Sequence, residues 1–135
     1  MAEGYFRHQL KFSDSPIVVN SAGIGALVNH AADLSAQKVM LEHGINISTH
    51  KGLQLTDILV RKFSLILVMT YQQLNFLSSH FMSATGKTFL LGHWSQFEIQ
   101  DPYKQPYNAF EKTFQQIELA WQDWKTRILA CHVSE

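Results

Sequence analysis

Phe63-Ser64-Leu65-Ile66-Leu67-Val68, followed at once by Met69-Thr70-Tyr71-Gln72-Gln73, decides the fold class. The first six residues are almost all apolar and do not alternate with polar ones, so the strand they form needs cover on both faces. Thr70, with Gln73 three residues on, is a capping box and predicts a helix from there to about Phe81. A doubly covered strand running straight into a capped helix is one unit of a parallel sheet. Downstream, Lys87 to Leu91 is a second apolar strand, and a long loop follows from Gly92 to about Tyr107. Asn108 with Glu111 then opens a long helix whose apolar stripe is Phe110, Phe114, Ile117, Trp121, Trp124 and Ile128. Upstream, Pro16 to Asn20 reads as a short buried-type strand leading into the small-residue turn Ser21-Ala-Gly-Ile-Gly25. Asp33 caps a helix with Ala36, Val39, Met40 and His43 toward the core and Gly44 as its stop. Residues 2–10 form a first helix with Tyr5, Phe6 and Leu10 on one face. The expected fold is α/β, three-layer α/β/α with a parallel sheet of about three strands. Ligands of such sheets bind beyond the carboxyl ends of the strands, which directs attention to the loops after Ser21, Met69 and Gly92. The chain opens inside a helix that no strand feeds, so a further strand and turn ahead of Met1 are expected to complete the architecture.

At 135 residues, 46% hydrophobic and 16% charged, the chain suits one domain with a real core, and global disorder is excluded. Eleven Lys and Arg balance eleven Asp and Glu, which removes the electrostatic case for nucleic acid or an anionic membrane as partner. No apolar run reaches the ~18 residues of a membrane span, and the opening lacks a signal peptide's apolar stretch. The single cysteine, Cys131, cannot form an internal disulfide, which fits a reducing, cytoplasmic setting. A cytoplasmic domain with no membrane insertion is expected.

Several motifs fail on their spacing. Ala84-Thr-Gly-Lys-Thr88 has Phe81 where a phosphate loop needs its first glycine, and it precedes a strand rather than following one. Gly23-Ile-Gly25 has Val28 at the third glycine of a dinucleotide fingerprint. The seven histidines form no H-x-x-x-H pair, so neither a metal nor a cofactor is implied. Cys131 lies after the long helix without the electropositive niche of a reactive thiol, and reads as incidental. Glu98-Ile-Gln-Asp-Pro-Tyr103 is the most informative stretch. Pro102 biases Asp101 to an extended conformation on the ligand side of the sheet, with Tyr103 beside it. Two readings of Asp101 stand level there: a general acid next to a slot for a planar group, or a turn former ahead of the last helix.

Together these blocks resemble the low-molecular-weight protein-tyrosine phosphatases, closest to the bacterial members associated with capsule or exopolysaccharide tyrosine kinases. The resemblance rests on Met1-Ala-Glu3, Val19-Asn-Ser-Ala-Gly23 with Gly25-Ala-Leu-Val28, and Ala32-Asp33. It continues through Leu65-Ile-Leu-Val-Met69, Leu91-Gly-His-Trp94, Glu98 to Tyr103, and Phe110 with Ile117 to Trp124. It implies the phosphotyrosine protein phosphatase I fold, whose sheet has four strands. A C-x5-R-[ST] loop after the first of these holds the substrate phosphate, supplies a cysteine nucleophile and grips the phosphoryl group through its arginine. Carried onto this chain, the resemblance makes Asp101 the general acid, Tyr103 and Leu27 walls of the phosphotyrosine slot, and Ser21 a support for the phosphate loop. It implies a phosphotyrosine protein, a bacterial tyrosine kinase, as substrate and partner, and no cofactor. The nucleophile and the arginine have no counterpart here, and Met1-Ala-Glu3 matches the segment that follows the loop. Residues 1–135 are therefore expected to be one phosphatase-like domain, N-terminally truncated and inactive as it stands. Ser64 and Lys51-Gly52 also depart from the family pattern. The alternative is a non-catalytic interaction module or a decayed member of the same fold. The presence of Asp101, for which a binding protein has no chemical need, weighs toward an enzyme gene product.

Overall fold

The computed structural model describes residues 1–13, 15–25 and 30–133. Helix α1 (Ala2–Phe12) buries Tyr5, Phe6 and Leu10, the face that their spacing predicts. Helix α2 (Leu34–Glu42) starts where Asp33 Oδ1 accepts a hydrogen bond from the Ser35 N–H at 2.8 Å. It stops at Gly44, whose φ of +77° is left-handed and costs glycine nothing. Helix α3 (Asp57–Lys62) was not anticipated from the sequence. Its signals are short-range: Thr56 Oγ1 accepts from the Leu59 N–H at 3.3 Å, and Asp57 forms an i,i+4 ion pair with Arg61 at 2.8 Å. The Lys87 ammonium closes the end of α3, donating to the carbonyls of Val60 at 2.6 Å and Phe63 at 2.8 Å. That structural task accounts for the lysine of the failed phosphate-loop motif.

Strands β1 (Ile66–Val68) and β2 (Thr88–Leu90) pair in parallel, with Ile66 opposite Thr88 and Val68 opposite Leu90. Between them lies α4 (Tyr71–His80), capped as expected: Thr70 Oγ1 accepts from the Gln73 N–H at 3.2 Å. Gln73 Oε1 reaches back to the N–H of Met69 at 2.8 Å. Helix α5 (Tyr107–Val133) corrects two expectations. It begins ahead of Asn108, so Asn108 and Glu111 lie inside its first turns, and it extends through Cys131. The strands are covered on both sides. Leu65, Leu67, Met69 and Phe89 pack on the core of α1, α2 and α5, whereas Ile66, Val68 and Leu90 pack with Val60 and Leu77 of α3 and α4. This alternation is the period-2 geometry of a strand between two helical layers.

Among the described residues the sheet has two strands, not the three expected here or the four of the resembled fold. Residues Pro16 to Asn20 form no strand. Ile17 and Val19 are half-buried while Pro16, Val18 and Asn20 are exposed, so the segment is extended with one face inward but no ladder partner. The reason is visible on β1. Bonds from the Ile66 N–H to the Lys87 carbonyl (2.9 Å) and from the Leu91 N–H to the Val68 carbonyl (2.7 Å) show that the even-numbered residues face β2. The backbone groups of Leu65 and Leu67 face the other way, and among the described residues nothing bonds them. A strand exists only through its neighbour, and among the described residues none pairs with residues 16–20.

Candidate active site

The carboxyl ends of β1 and β2 feed the loops that carry the candidate residues. After β2, Leu91 is fixed by the Trp124 indole N–H, which donates to its carbonyl at 2.7 Å, and the Ser95 hydroxyl donates to Asp123 Oδ2 at 2.7 Å. Both bonds fasten the start of the loop to α5. Its next stretch is fastened to β1 and α4 instead. The N–H of Ile99, a buried residue, donates to the Met69 carbonyl at 2.9 Å. Glu98 Oε2 accepts from the Tyr71 N–H at 2.8 Å, a carboxylate on the N-terminal turn of α4 where the helix dipole favours it.

Asp101 follows two residues after this anchor and is exposed. Its Oδ1 accepts from the Tyr103 N–H at 3.0 Å, an Asx turn that fixes the Asp-Pro-Tyr segment. The Gln105 N–H donates to the Pro102 carbonyl at 2.8 Å and closes the turn, with Lys104 left-handed at φ 63°. The Tyr103 ring is 54% exposed, with the Lys104 ammonium 5.5 Å from its centre. Asp101 thus makes the turn of the structural reading while keeping a carboxylate open to solvent, so the two readings of this residue are compatible.

A second group of candidate residues is built on the first turn of α1. Glu3 is a junction: Oε1 accepts from the Ser21 hydroxyl at 2.9 Å, and Oε2 meets Arg7 Nη1 at 3.2 Å and His50 Nδ1 at 3.2 Å. Arg7 also donates to the Val19 carbonyl. These contacts join α1, residues 19–21 and the turn at 47–50. The Met1 α-amino group is buried, which lowers its pKa below the ordinary value, while the Glu3 and Asp101 carboxylates oppose the shift.

Asp101 and Tyr103 share one turn, and Ser21 is held by Glu3 at the start of α1. Leu27 lies outside the described residues. Sequence reasoning missed the roles of Glu3, His50 and Glu98. Glu3 and Glu98 stood inside quoted blocks, but their partners lie far away in sequence and only packing reveals them. No C-x5-R-[ST] segment occurs in the 135 residues, so none of them supplies the nucleophile and phosphate grip that the resemblance calls for.

The family model for low molecular weight phosphotyrosine protein phosphatase matches residues 1–132, and the chain belongs to that family, in its bacterial EpsP and Wzb subtype. It is 42% identical over 130 residues to the "probable low molecular weight protein-tyrosine-phosphatase EpsP" of Ralstonia nicotianae, covering 96% of this chain and 87% of the relative. The tyrosine phosphatase Wzb from Escherichia coli K30, solved with sulphate, superposes with a TM-score of 0.86 at 38% identity over 94% of this chain and 87% of Wzb. The Erwinia amylovora tyrosine phosphatase AmsI gives 0.86 at 36% identity, over 93% of this chain and 82% of AmsI.

Proposed function

We propose that residues 1–135 are one phosphatase-like domain whose complete form hydrolyses phosphotyrosine through a phosphocysteine. In that form a loop cysteine thiolate attacks phosphorus, the bond to the tyrosine oxygen breaks, and Asp101 donates a proton to that oxygen. Water then cleaves the phosphocysteine, releasing phosphate and returning the thiolate. Tyr103 and Leu27 wall the aromatic slot, and Ser21 supports the phosphate loop through its place beside Glu3. The protein substrate is a bacterial tyrosine kinase, and the enzyme serves polysaccharide export from the cytoplasmic side. Among the described residues no helix is long and apolar enough to cross a membrane. The observation that supports the reading is the state of Asp101: exposed, turned by its own Asx bond, and anchored through Ile99 to Met69 and through Glu98 to Tyr71.

The 135-residue chain itself is inactive in this reading, because it has no nucleophile. The intact mass and N-terminal sequence of the protein from its native cell test the proposal. A longer protein with a C-x5-R-[ST] loop ahead of Met1, whose turnover of p-nitrophenyl phosphate falls on Asp101→Asn, supports it. Turnover by the 135-residue chain that Cys131→Ser abolishes overturns it. A native protein starting at Met1 favours the second reading, a non-catalytic module of the same fold, for which the missing nucleophile is the specific observation.

A further inference from the structure

Asp101 belongs to the segment from Glu98 to Gln105, and among the described residues two hydrogen bonds join that segment to other elements. One is the backbone bond from the Ile99 N–H to the Met69 carbonyl at 2.9 Å. The other is made by a side chain: Glu98 Oε2 accepts from the Tyr71 N–H at 2.8 Å. The remaining polar contacts of the segment are internal to it, between Asp101 and Tyr103, Pro102 and Gln105, and Lys104 and the Tyr103 ring. The two outward bonds ask different things of the sequence. Almost any residue at position 99 could make the backbone bond, whereas the bond from position 98 needs an acceptor of the right reach. Both land on one turn, Met69 to Tyr71, and that turn is itself fixed. Gln73 Oε1 accepts from the Met69 N–H at 2.8 Å, and Thr70 Oγ1 accepts from the Gln73 N–H at 3.2 Å. The Tyr71 N–H is one of the donors that the first turn of α4 leaves without a partner in the helix, and a carboxylate suits it.

We propose that Glu98 is a positioning residue for Asp101, an inference that rests on the phosphatase reading above. Glu98 exchanges no proton. It holds the loop so that the Asp101 carboxyl group meets the departing tyrosine oxygen. A proton donor acts only within hydrogen-bond reach of the oxygen that leaves, and catalytic groups need placing to about 0.5 Å. Asp101 lies three residues beyond Glu98, so slack at 98 passes to the carboxyl group with only the Ile99 bond to resist it. A carboxylate that served only to cap α4 would stabilise that helix and leave proton transfer as it was.

Two measurements test this. In the 135-residue chain, Glu98→Ala should speed exchange of the Ile99 N–H about tenfold beyond any change at the Phe114 N–H. In the complete form, kcat/KM is compared for p-nitrophenyl phosphate and phenyl phosphate, because the second has the more basic leaving oxygen and depends more on the donated proton. Glu98→Ala should lower the phenyl phosphate value about tenfold more than the other, a part of the ~10²–10⁴-fold that a general acid supplies. Glu98→Gln, which keeps an acceptor oxygen at the same reach, should recover most of that difference. In an Asp101→Asn background Glu98→Ala should add nothing to it. Unchanged exchange at Ile99, or an equal loss on the two substrates while Asp101→Asn still separates them, overturns the proposal alone. If Asp101→Asn itself falls equally on both substrates, or the native protein starts at Met1, the phosphatase reading fails and the proposal falls with it.

Discussion

The helical layer of α1, α2 and α5 carries one apolar stripe per helix and the sheet beside it is almost wholly apolar, yet it is the helical layer that is better buried. Phe114, Ile117, Ala120 and Trp121 are at most 2% exposed, and Phe6 meets Trp121 edge-on with ring centres 5.0 Å apart. In the sheet only Val68 and Leu90 are buried, and Leu65, Leu67 and Phe89 are half-exposed. Helices bond their own backbone and need neighbours only for one stripe. A parallel strand needs a partner on each edge and cover on both faces. Residues that satisfy themselves locally are well formed here, and those that rely on a neighbouring strand are not.

Amide exchange should break or sharpen this comparison most visibly. The Leu67 N–H, without a partner, should exchange at close to the unprotected rate, while the Phe114 N–H exchanges only through global opening. With even ~5 kcal/mol of stability the two rates differ about a thousandfold or more. Similar protection of both amides would mean that β1 has a covered edge. Next in size is Trp121→Ala, which should lower stability by about 3–5 kcal/mol in urea denaturation, against well under half of that for Leu67→Ala. Equal losses would erase the distinction between the layers. Gly4→Ala should cost about 1–3 kcal/mol, because its methyl group collides with Ile47, which must shift. Thr70→Ala should cost about 1 kcal/mol, the ordinary worth of an N-cap, since the α4 cap is intact beside an incomplete sheet.

The smallest effect concerns α5. Tyr107 donates its phenol proton to Glu42, and this bond, with some desolvation and the Glu42 and Glu111 charges, pushes its pKa up to about 12. The folded value lies above the unfolded one of about 10. The stabilising contribution is therefore complete below pH ~10 and is lost as pH rises through about 12. Ultraviolet titration should show one tyrosine ionising near that upper value, and Glu42→Gln should bring it down toward about 10. A titration unchanged by the substitution would break the assignment.

Much of the fold was legible in sequence because its signals are short-range. Asp33 and Thr70 cap the helices they were expected to cap, Gly44 ends α2, and the stripe from Phe110 to Trp124 is the buried face of α5. Where reading failed, the cause was a longer reach. Pro16 to Asn20 has strand composition, but composition cannot show that no neighbour is supplied. α3 is too brief for periodicity to register. In the candidate site Asp101 and Tyr103 stood out because proline restricts the residue before it, whereas Glu98, Glu3 and His50 drew no notice.

By itself the sequence determined the family, the helical faces and the caps of α2 and α4, since each depends on residue identity at close spacing or on the order of blocks. Only tertiary structure decided that Glu98 holds the Asp101 loop to α4, that Glu3 joins Ser21 to His50, and that among the described residues β1 pairs only with β2. Those outcomes depend on which distant groups meet, and a hydrogen bond across 27 or 47 residues leaves no local trace.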